Sequence, residues 1–575
     1  MHTGGESMKF TGVFQTVRQS VFPLLSKPLL VSGALAVLAC AVAARGFAAP
    51  PVPKQALAPT PPMGWNDWAH YQCGFTAQTI LDNAKALVDR GLAAAGYDTV
   101  TIDDCWMQKT RDGQGNLRPD RQRFPHGMQP VANAIHGLGL KFGIYEDAGY
   151  ATCGGFAGSG ESHDSGRSHF LQDARLFASW GVDYLKLDGC NIYVPAGESK
   201  DAAYRKAYAA ENAALRAVRR PIVFSESAPA YFQGTPEWYD VLTWVRGYGQ
   251  LWREGSDIAI FQSGNPTRPR FSSVLWNYAY NLPLGRFQGP GNWNDADFVI
   301  GGDAGLTLAE TRSQPALWSM MSAPLILSSD VAKLSPQAVA ILSNHLVIGV
   351  DQDPMGKMST LLRRSKNMDL LFKKLSGGDY AVAVFNRGTS PAEVDLRPAD
   401  LGFAGTAACK VDAQDLWSGT EVHNAAALHA EVAARDTAIW RINAAAPCGI
   451  PTRSGTITMI AGGEHIGFDG YTQCLAAPGV LAGCASTPAE TWTIGKDGEL
   501  QSAGQCLTTA HGQLTMRSCA ARTTQRWRYT QVGNLVDADG QCLTASSSRV
   551  PSPSPGLSLH SCGHNQPDQI WSLPN

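Results

Sequence analysis

Tyr184-Leu185-Lys186-Leu187-Asp188-Gly189-Cys190 opens with residues that favour extended backbone and closes on an acid, a glycine and a cysteine. This order predicts a buried strand delivering a carboxylate to a solvent-facing loop, with a disulfide holding the loop. Lys186 and Asp188, two residues apart, fall on one face of that strand. A carboxylate on a rigid strand end beside a cation suits nucleophilic or charge-stabilising work. A strand-capping aspartate paired with Lys186 is the plainer alternative, and the rest of the chain decides between them.

Outward from this heptad, from Pro62 to about Asp353, short β-like runs alternate with Ala-rich helical stretches. Candidate strands are Met63-Gly64-Trp65, Thr99 to Ile102, Lys141 to Tyr145, Tyr184 to Leu187, Ile222 to Phe224, a run near Leu251-Trp252, Arg286-Phe287 and Leu325 to Leu327. Helical patterns lie between them, as at Gln78–Arg90, Gln129–Leu138, Ser168–Trp180 and Ala202–Arg219. This alternation predicts a (β/α)8 barrel, a TIM barrel, over 50–355. A doubly wound sheet would announce a glycine-rich phosphate loop, and none is present.

A barrel demands polar residues just after its strands, because the site sits at their C-terminal ends. Asp103-Asp104-Cys105-Trp106 follow the second candidate strand, Glu146-Asp147 the third and Asp188-Gly189-Cys190 the fourth. Arg253-Glu254-Gly255-Ser256-Asp257 follow the sixth, and Asn292-Trp293-Asn294-Asp295-Ala296-Asp297 the seventh. Acids gathered repeatedly at one end of the strands, beside tryptophans, define a candidate mouth.

Past residue 355 the pattern turns all-β. Tyr380 to Asn386 alternates, Asp415-Leu416-Trp417-Ser418-Gly419 reads as a turn, and 356–446 is expected to form an antiparallel β-sandwich. Residues 447–457 read as a linker. Residues 458–575 contain an internal repeat: Gln-Cys-Leu at 473–475, 505–507 and 541–543, each followed by a second cysteine (484, 519, 562) and then a tryptophan (492, 527, 571). Three β units, each with its own cysteine pair (Cys474 and Cys484, Cys506 and Cys519, Cys542 and Cys562), predict a β-trefoil.

Composition narrows the function. With a net charge of −2 the chain has no basic footprint for nucleic acid. Lys9, Arg18 and Lys27 precede an apolar run from Leu29 to Ala44 and small residues up to Ala49, the layout of a secretory signal peptide over 1–49. The run is short for a spanning helix, and a lipoprotein cleavage site at Cys40 is a variant of the same idea. With Cys40 in the leader, the other 12 of the 13 cysteines are an even set, as expected of disulfides in an exported chain, secreted or periplasmic and without a membrane span after cleavage. No paired Cys-x-x-Cys or His-Glu-x-x-His spacing marks a metal site. Paired acids in an aromatic-lined mouth point to glycoside hydrolysis, in which one acid attacks or stabilises the anomeric carbon and another protonates the leaving oxygen.

The order Met63-Gly64-Trp65, Ile102-Asp103-Asp104-Cys105-Trp106, Arg123-Phe124-Pro125-His126-Gly127, Gly143-Ile144-Tyr145, Lys186-Leu187-Asp188-Gly189-Cys190, Trp293-Asn294-Asp295 and Gln352-Asp353-Pro354 resembles the α-galactosidases of glycoside hydrolase family 27 from about Pro61 to Trp440. The resemblance implies a retaining exo-enzyme that needs no metal or organic cofactor and acts on α-galactosyl oligo- or polysaccharides. It implies Asp188 as nucleophile and Asp257 as acid/base. Lys186 would hold ring hydroxyls and keep Asp188 ionised, Arg253 would play a similar orienting role, Asp103 and Asp104 would bind the galactose 4- and 6-hydroxyls, and Trp68, Tyr145 and Asp297 would be further sugar contacts. Asp295 would be structural, with Glu146 and Glu254 solvated or hydrogen-bonded bystanders. Disulfides Cys73–Cys105 and Cys153–Cys190 are implied in the same way. The oligomeric state is left open.

The sequence departs from the family at Phe224-Ser225-Glu226-Ser227-Ala228-Pro229-Ala230-Tyr231. Aligned without a gap, Ser227 and Ala230 stand where the α-N-acetylgalactosaminidase branch makes room for an N-acetyl group, with Tyr231 a sugar contact. Aligned with one gap, Glu226 keeps the galactosidase role. Galactose is the expected substrate. The rivals are α-N-acetylgalactosaminidase, β-L-arabinopyranosidase and a non-catalytic carbohydrate-binding protein. The C-terminal repeat resembles ricin-type trefoil lectins through Gln525-Arg526-Trp527 and Gln569-Ile570-Trp571. Those lectins place an aspartate after the Cys-Leu pair, and this chain has Ala476, Thr508 and Thr544 there.

Overall fold

The expected leader, Cys40 included, lies outside the described residues: the computed structural model describes residues 57–162, 166–258, 270–303, 305–403, 409–444, 448–460, 472–545, 556–563 and 566–574. Eight parallel strands open the described chain: β1 (Met63–Asn66), β2 (Thr99–Ile102), β3 (Lys141–Asp147), β4 (Tyr184–Asp188), β5 (Val223–Glu226), β6 (Leu251–Arg253), β7 (Trp293–Asp295) and β8 (Leu325–Leu327). They lie side by side in the order β7-β6-β5-β4-β3-β2-β1-β8. The ring is completed where Val299, just past β7, bridges Leu327, with the Val299 N–H donating to Ile326 O at 2.7 Å. Between strands lie amphipathic helices such as Ala77–Asp89, whose buried Ile80, Ala84 and Leu87 repeat at the helical period. The helix Phe170–Trp180 stops at Gly181, whose φ of 82° is the left-handed conformation that a C-terminal glycine supplies without steric cost.

The seventh strand is displaced from its expected place. Arg286-Phe287 belong to a 3-10 helix, Leu282–Phe287, and β7 begins at Trp293. Pro283 fixes φ and offers no N–H to a ladder, so this segment cannot enter a central strand. The true β7 carries an asparagine and an aspartate in place of β-branched residues, which is why it reads as a loop.

The second domain is a six-stranded antiparallel sheet from Thr360–Arg364 to Thr437–Ala444 with a two-stranded partner, Ala392–Leu396 and Leu428–Val432. Cys409 and Cys448 are joined. The seam with the barrel is polar. The Lys373 ammonium donates to Ser319 O (2.6 Å), Ser322 Oγ (2.7 Å) and Val350 O (2.7 Å), all buried. Tyr278 on a barrel helix donates to Asp369 Oδ2 at 3.0 Å, which Arg364 also holds.

The third domain shows its threefold logic in three repeated contacts. Trp492, Trp527 and Trp571 donate their indole N–H to Leu475 O (2.6 Å), Leu507 O (3.1 Å) and Leu543 O (2.9 Å), the leucine of each Gln-Cys-Leu. Disulfides Cys474–Cys484, Cys506–Cys519 and Cys542–Cys562 close the three units. Strand Ser454–Thr456, inside the stretch read as a linker, already pairs with Thr491–Ile494.

Candidate active site

Strand alternation builds the barrel interior in layers. Tyr184, Leu251 and Trp293 pack with Ala58 as an apolar floor. Two residues further along the same strand faces stand Lys186, Arg253 and Asp295, and Asp188 lies a step beyond, in register with Asp147. Floor and wall are dry, so each charge within them needs a partner.

Asp103, 1% exposed, receives the Lys186 ammonium (2.6 Å) and the Asn66 amide (2.7 Å) on one oxygen. Its backbone N–H donates to Asp67 Oδ1 at 2.8 Å. Burial opposes the charge on Lys186, but Asp103 and then Asp188 outweigh it and hold the ammonium well above its ordinary pKa. Asp104 accepts from the N–H of Gly154 at 2.9 Å and of Cys105. Burial raises its pKa against those bonds. Trp68 follows at the rim, its N–H donating to Asn66 Oδ1 at 2.8 Å.

Both oxygens of Asp188 face tyrosine hydroxyls. Tyr231 donates to Oδ1 at 2.6 Å, with the Gly189 N–H at 2.9 Å, and Tyr145 donates to Oδ2 at 3.2 Å. Disulfide Cys153–Cys190 braces the loop, and Cys73–Cys105 braces the one after β2. The loop has a second anchor that sequence reasoning passed over. Buried Asp147 accepts from the N–H groups of Gly149 (2.7 Å) and Cys190 (3.0 Å), tying β3 to the turn after β4. The period-2 spacing of Tyr145 and Asp147 on β3 was the available signal.

Opposite, Arg253 bridges two acids. One nitrogen contacts Asp297 at 2.8 Å and another Asp257 at 3.0 Å. The Asp257 side chain is 59% exposed, whereas Asp297 is 1% exposed. Burial pushes Asp297 up to about 7 against the Arg253 charge. Asp297 has φ of 74°, unusual for a residue with a side chain, and its N–H is held at 2.9 Å by Asp295, which gives Asp295 a structural role. Lys186 on β4 and Arg253 on β6 stand on the inward strand face, one on each side of β5, so both acid-bearing clusters open into one mouth.

Three glutamates sit elsewhere. Glu226 is in register with Leu187 and Trp252, on the outward strand face, and accepts from the Gly249 N–H. The gapped alignment, which would put it on the sugar, therefore fails. Ser227, 4% exposed, is the residue that follows β5. Glu146 and Glu254, expected as solvated or hydrogen-bonded bystanders, are instead fully buried, with neither carboxyl oxygen hydrogen-bonded among the described residues. Burial raises the pKa of both well above ordinary values.

Among the described residues, one group of metal-ligating types converges: Asp147, Cys153, Asp188 and Cys190, with ligand atoms within 4.8 Å. Its two sulfurs are tied to each other, leaving no thiolate to coordinate. In the trefoil, Gln525 and Gln569 donate to Thr508 and Thr544, each at 3.0 Å, and both threonines are buried. The positions that would carry a lectin aspartate are filled and turned inward.

Residues 60–353 match the model of the alpha galactosidase A family. The chain belongs to that family. Residues 365–442 match the alpha galactosidase C-terminal β-sandwich domain and 455–571 the ricin-type β-trefoil lectin domain. This family member is 37% identical to a probable alpha-galactosidase A of Aspergillus clavatus, over 90% of this chain and 94% of that one. It is 35% identical to the alpha-galactosidase A of Aspergillus niger, over 91% and 93%. The crystal structure of alpha-galactosidase I from Mortierella vinacea superposes with a TM-score of 0.59, at 28% identity, over 68% of this chain and 98% of that one.

Proposed function

We propose that this glycoside hydrolase removes terminal α-D-galactosyl residues with retention of configuration, outside the cell. The observation that supports it most is Asp188, held at a strand end by two tyrosine hydroxyls, across one mouth from the Arg253-bound Asp257. An Asp188 oxygen attacks the anomeric carbon while the glycosidic C–O bond breaks, and the leaving oxygen takes a proton from Asp257. Water then attacks the glycosyl ester, giving a proton to Asp257 and freeing Asp188. Lys186 keeps a cation beside both Asp103 and Asp188, and Asp104 offers a partly accepting carboxylate to sugar hydroxyls. Six disulfides among the described residues and the leader-like N-terminus favour an oxidising compartment. No helix of the described residues is long and apolar enough to cross a membrane. The test is release of nitrophenol from p-nitrophenyl α-galactoside. Asp188→Asn should lower kcat by about 10³-fold or more, and retained activity would remove Asp188 from the nucleophile role.

One observation favours a second activity. With Glu226 facing outward, the ungapped reading, in which Ser227 and Ala230 stand where an N-acetyl group would be admitted, is supported over the gapped one, and with it activity on N-acetylgalactosaminides as well. A pocket difference of this size is worth about 1–3 kcal/mol, and kcat/KM on the two nitrophenyl glycosides measures it.

A further inference from the structure

At the base of the barrel, on the side away from the mouth, the three domains meet around a cleft of about 770 Å³. The barrel lines it with the segment that precedes β7, the sandwich with its first strands, and the trefoil with its first strand and Tyr529. Four cations stand in the wall, Arg286, Lys357, Lys374 and Arg453, and among the described lining residues there is no acid. The two arginines are spent on neutral partners: Arg286 donates to Val532 O at 2.7 Å and Arg453 to Pro574 O at 2.7 Å. Both lysines are exposed, and no ion pair ties either one to a described acid. The positive charge is therefore uncompensated in a concave site, where low-dielectric walls concentrate it.

The remaining wall is aromatic and hydroxylic. Phe372 and Tyr380 stack with ring centroids 4.9 Å apart and planes 20° apart, and Tyr529 enters from the trefoil. Flat rings next to hydroxyls suit sugar faces, and the volume is that of a small ligand site, enough for a few sugar rings.

We infer that this cleft binds an acidic oligosaccharide, its carboxylates set against Lys357 and Lys374 and its rings against Phe372, Tyr380 and Tyr529. The site is remote from the barrel mouth and owes nothing to the glycosidase assignment. It gives the trefoil a sugar-binding role by a route other than its closed threonine positions.

Calorimetric titration of the full chain with trigalacturonate, in excess galactose to occupy the mouth, tests it. The trimer should bind, and binding should weaken as NaCl is raised. The fully methyl-esterified trimer, uncharged but otherwise alike, should bind at least about tenfold more weakly. The double variant Lys357→Ala, Lys374→Ala should lose at least about tenfold in affinity while keeping its thermal midpoint and its rate on nitrophenyl galactoside. Absence of binding, equal binding by the ester or equal binding by the variant would overturn the proposal. So would displacement by inorganic phosphate at concentrations equal to the trimer, since that would show an anion patch indifferent to sugar.

Discussion

The Tyr231 hydroxyl donates to Oδ1 of Asp188 across 2.6 Å, linking the turn after β5 to the end of β4. Burial, with the nearby Asp188 and Asp147 carboxylates, pushes the Tyr231 phenol far above its ordinary range, so it stays a donor throughout the working pH range. Tyr231 is itself held in place: the Lys200 ammonium donates to its backbone oxygen at 2.7 Å. A charge-assisted bond of this kind is worth about 1.5–3 kcal/mol. Tyr231→Phe should therefore lower kcat/KM on p-nitrophenyl α-galactoside by about 10- to 100-fold, with the fold intact by circular dichroism.

Asp257 is the exposed partner of Arg253, suited to exchange protons with solvent and with a leaving group. Asp257→Ala should cost about 10²- to 10⁴-fold on a galactoside with an alkyl leaving group. The loss should be much smaller on the nitrophenyl substrate, whose phenolate departs without a proton. Equal losses on both would place the acid elsewhere.

Ser227 directly follows β5 and is 4% exposed, so a longer side chain there must displace its surroundings. Ser227→Glu should lower kcat/KM on the N-acetylgalactosaminide by about 100-fold, close to 3 kcal/mol. It should leave the galactoside rate within a few-fold. A parallel fall in both would mean that Ser227 does not select at C2.

Asp351 is fully buried near Lys373 at the barrel–sandwich seam. Burial holds its carboxyl up to about 8, against the Lys373 charge and a hydrogen bond from Gln352. The folded protein thus keeps a proton that the unfolded chain releases above about pH 4. The stabilisation is fully present below that pH and is lost as pH rises through about 8. Thermal midpoints of wild type and Asp351→Asn, compared from pH 5 to 8, should shift in favour of the variant as pH rises. A constant difference would show that Asp351 is ionised when folded.

Lys373 saturates three buried acceptors on the barrel from a sandwich strand. Lys373→Met leaves those acceptors unpaired and should destabilise the seam by about 3 kcal/mol or more. A thermal midpoint lower by several degrees in calorimetry checks it, with kcat on nitrophenyl galactoside little changed at 25 °C.

The helices Ala77–Asp89, Gln129–Gly137, Phe170–Trp180 and Lys200–Ala217 fall within two or three residues of their sequence-based bounds, because amphipathic spacing and caps are local signals. β7 reads as a loop because its inward face carries Asp295, an acid that holds the Asp297 N–H, where a strand would ordinarily show an apolar residue. Asp147 and Asp67 are not legible as anchors, because a carboxylate that receives backbone N–H groups from a distant turn looks, in one dimension, like any loop acid.

By itself the chain determined its three-domain order, the three cysteine pairs of its C-terminal repeat and the heptad ending on Asp188, since periodicity, repeats and motif order are written along the backbone. Only the closed ring decided which side each strand residue faces. A one-residue shift in register exchanges the interior for the helix layer. That choice turned Glu226 away from the barrel interior, buried Glu146 and Glu254 on the outward side of their strands, and brought Tyr231 onto Asp188. The acid-free cleft belongs to the same class: its cations lie far apart in the chain and meet only where three domains pack.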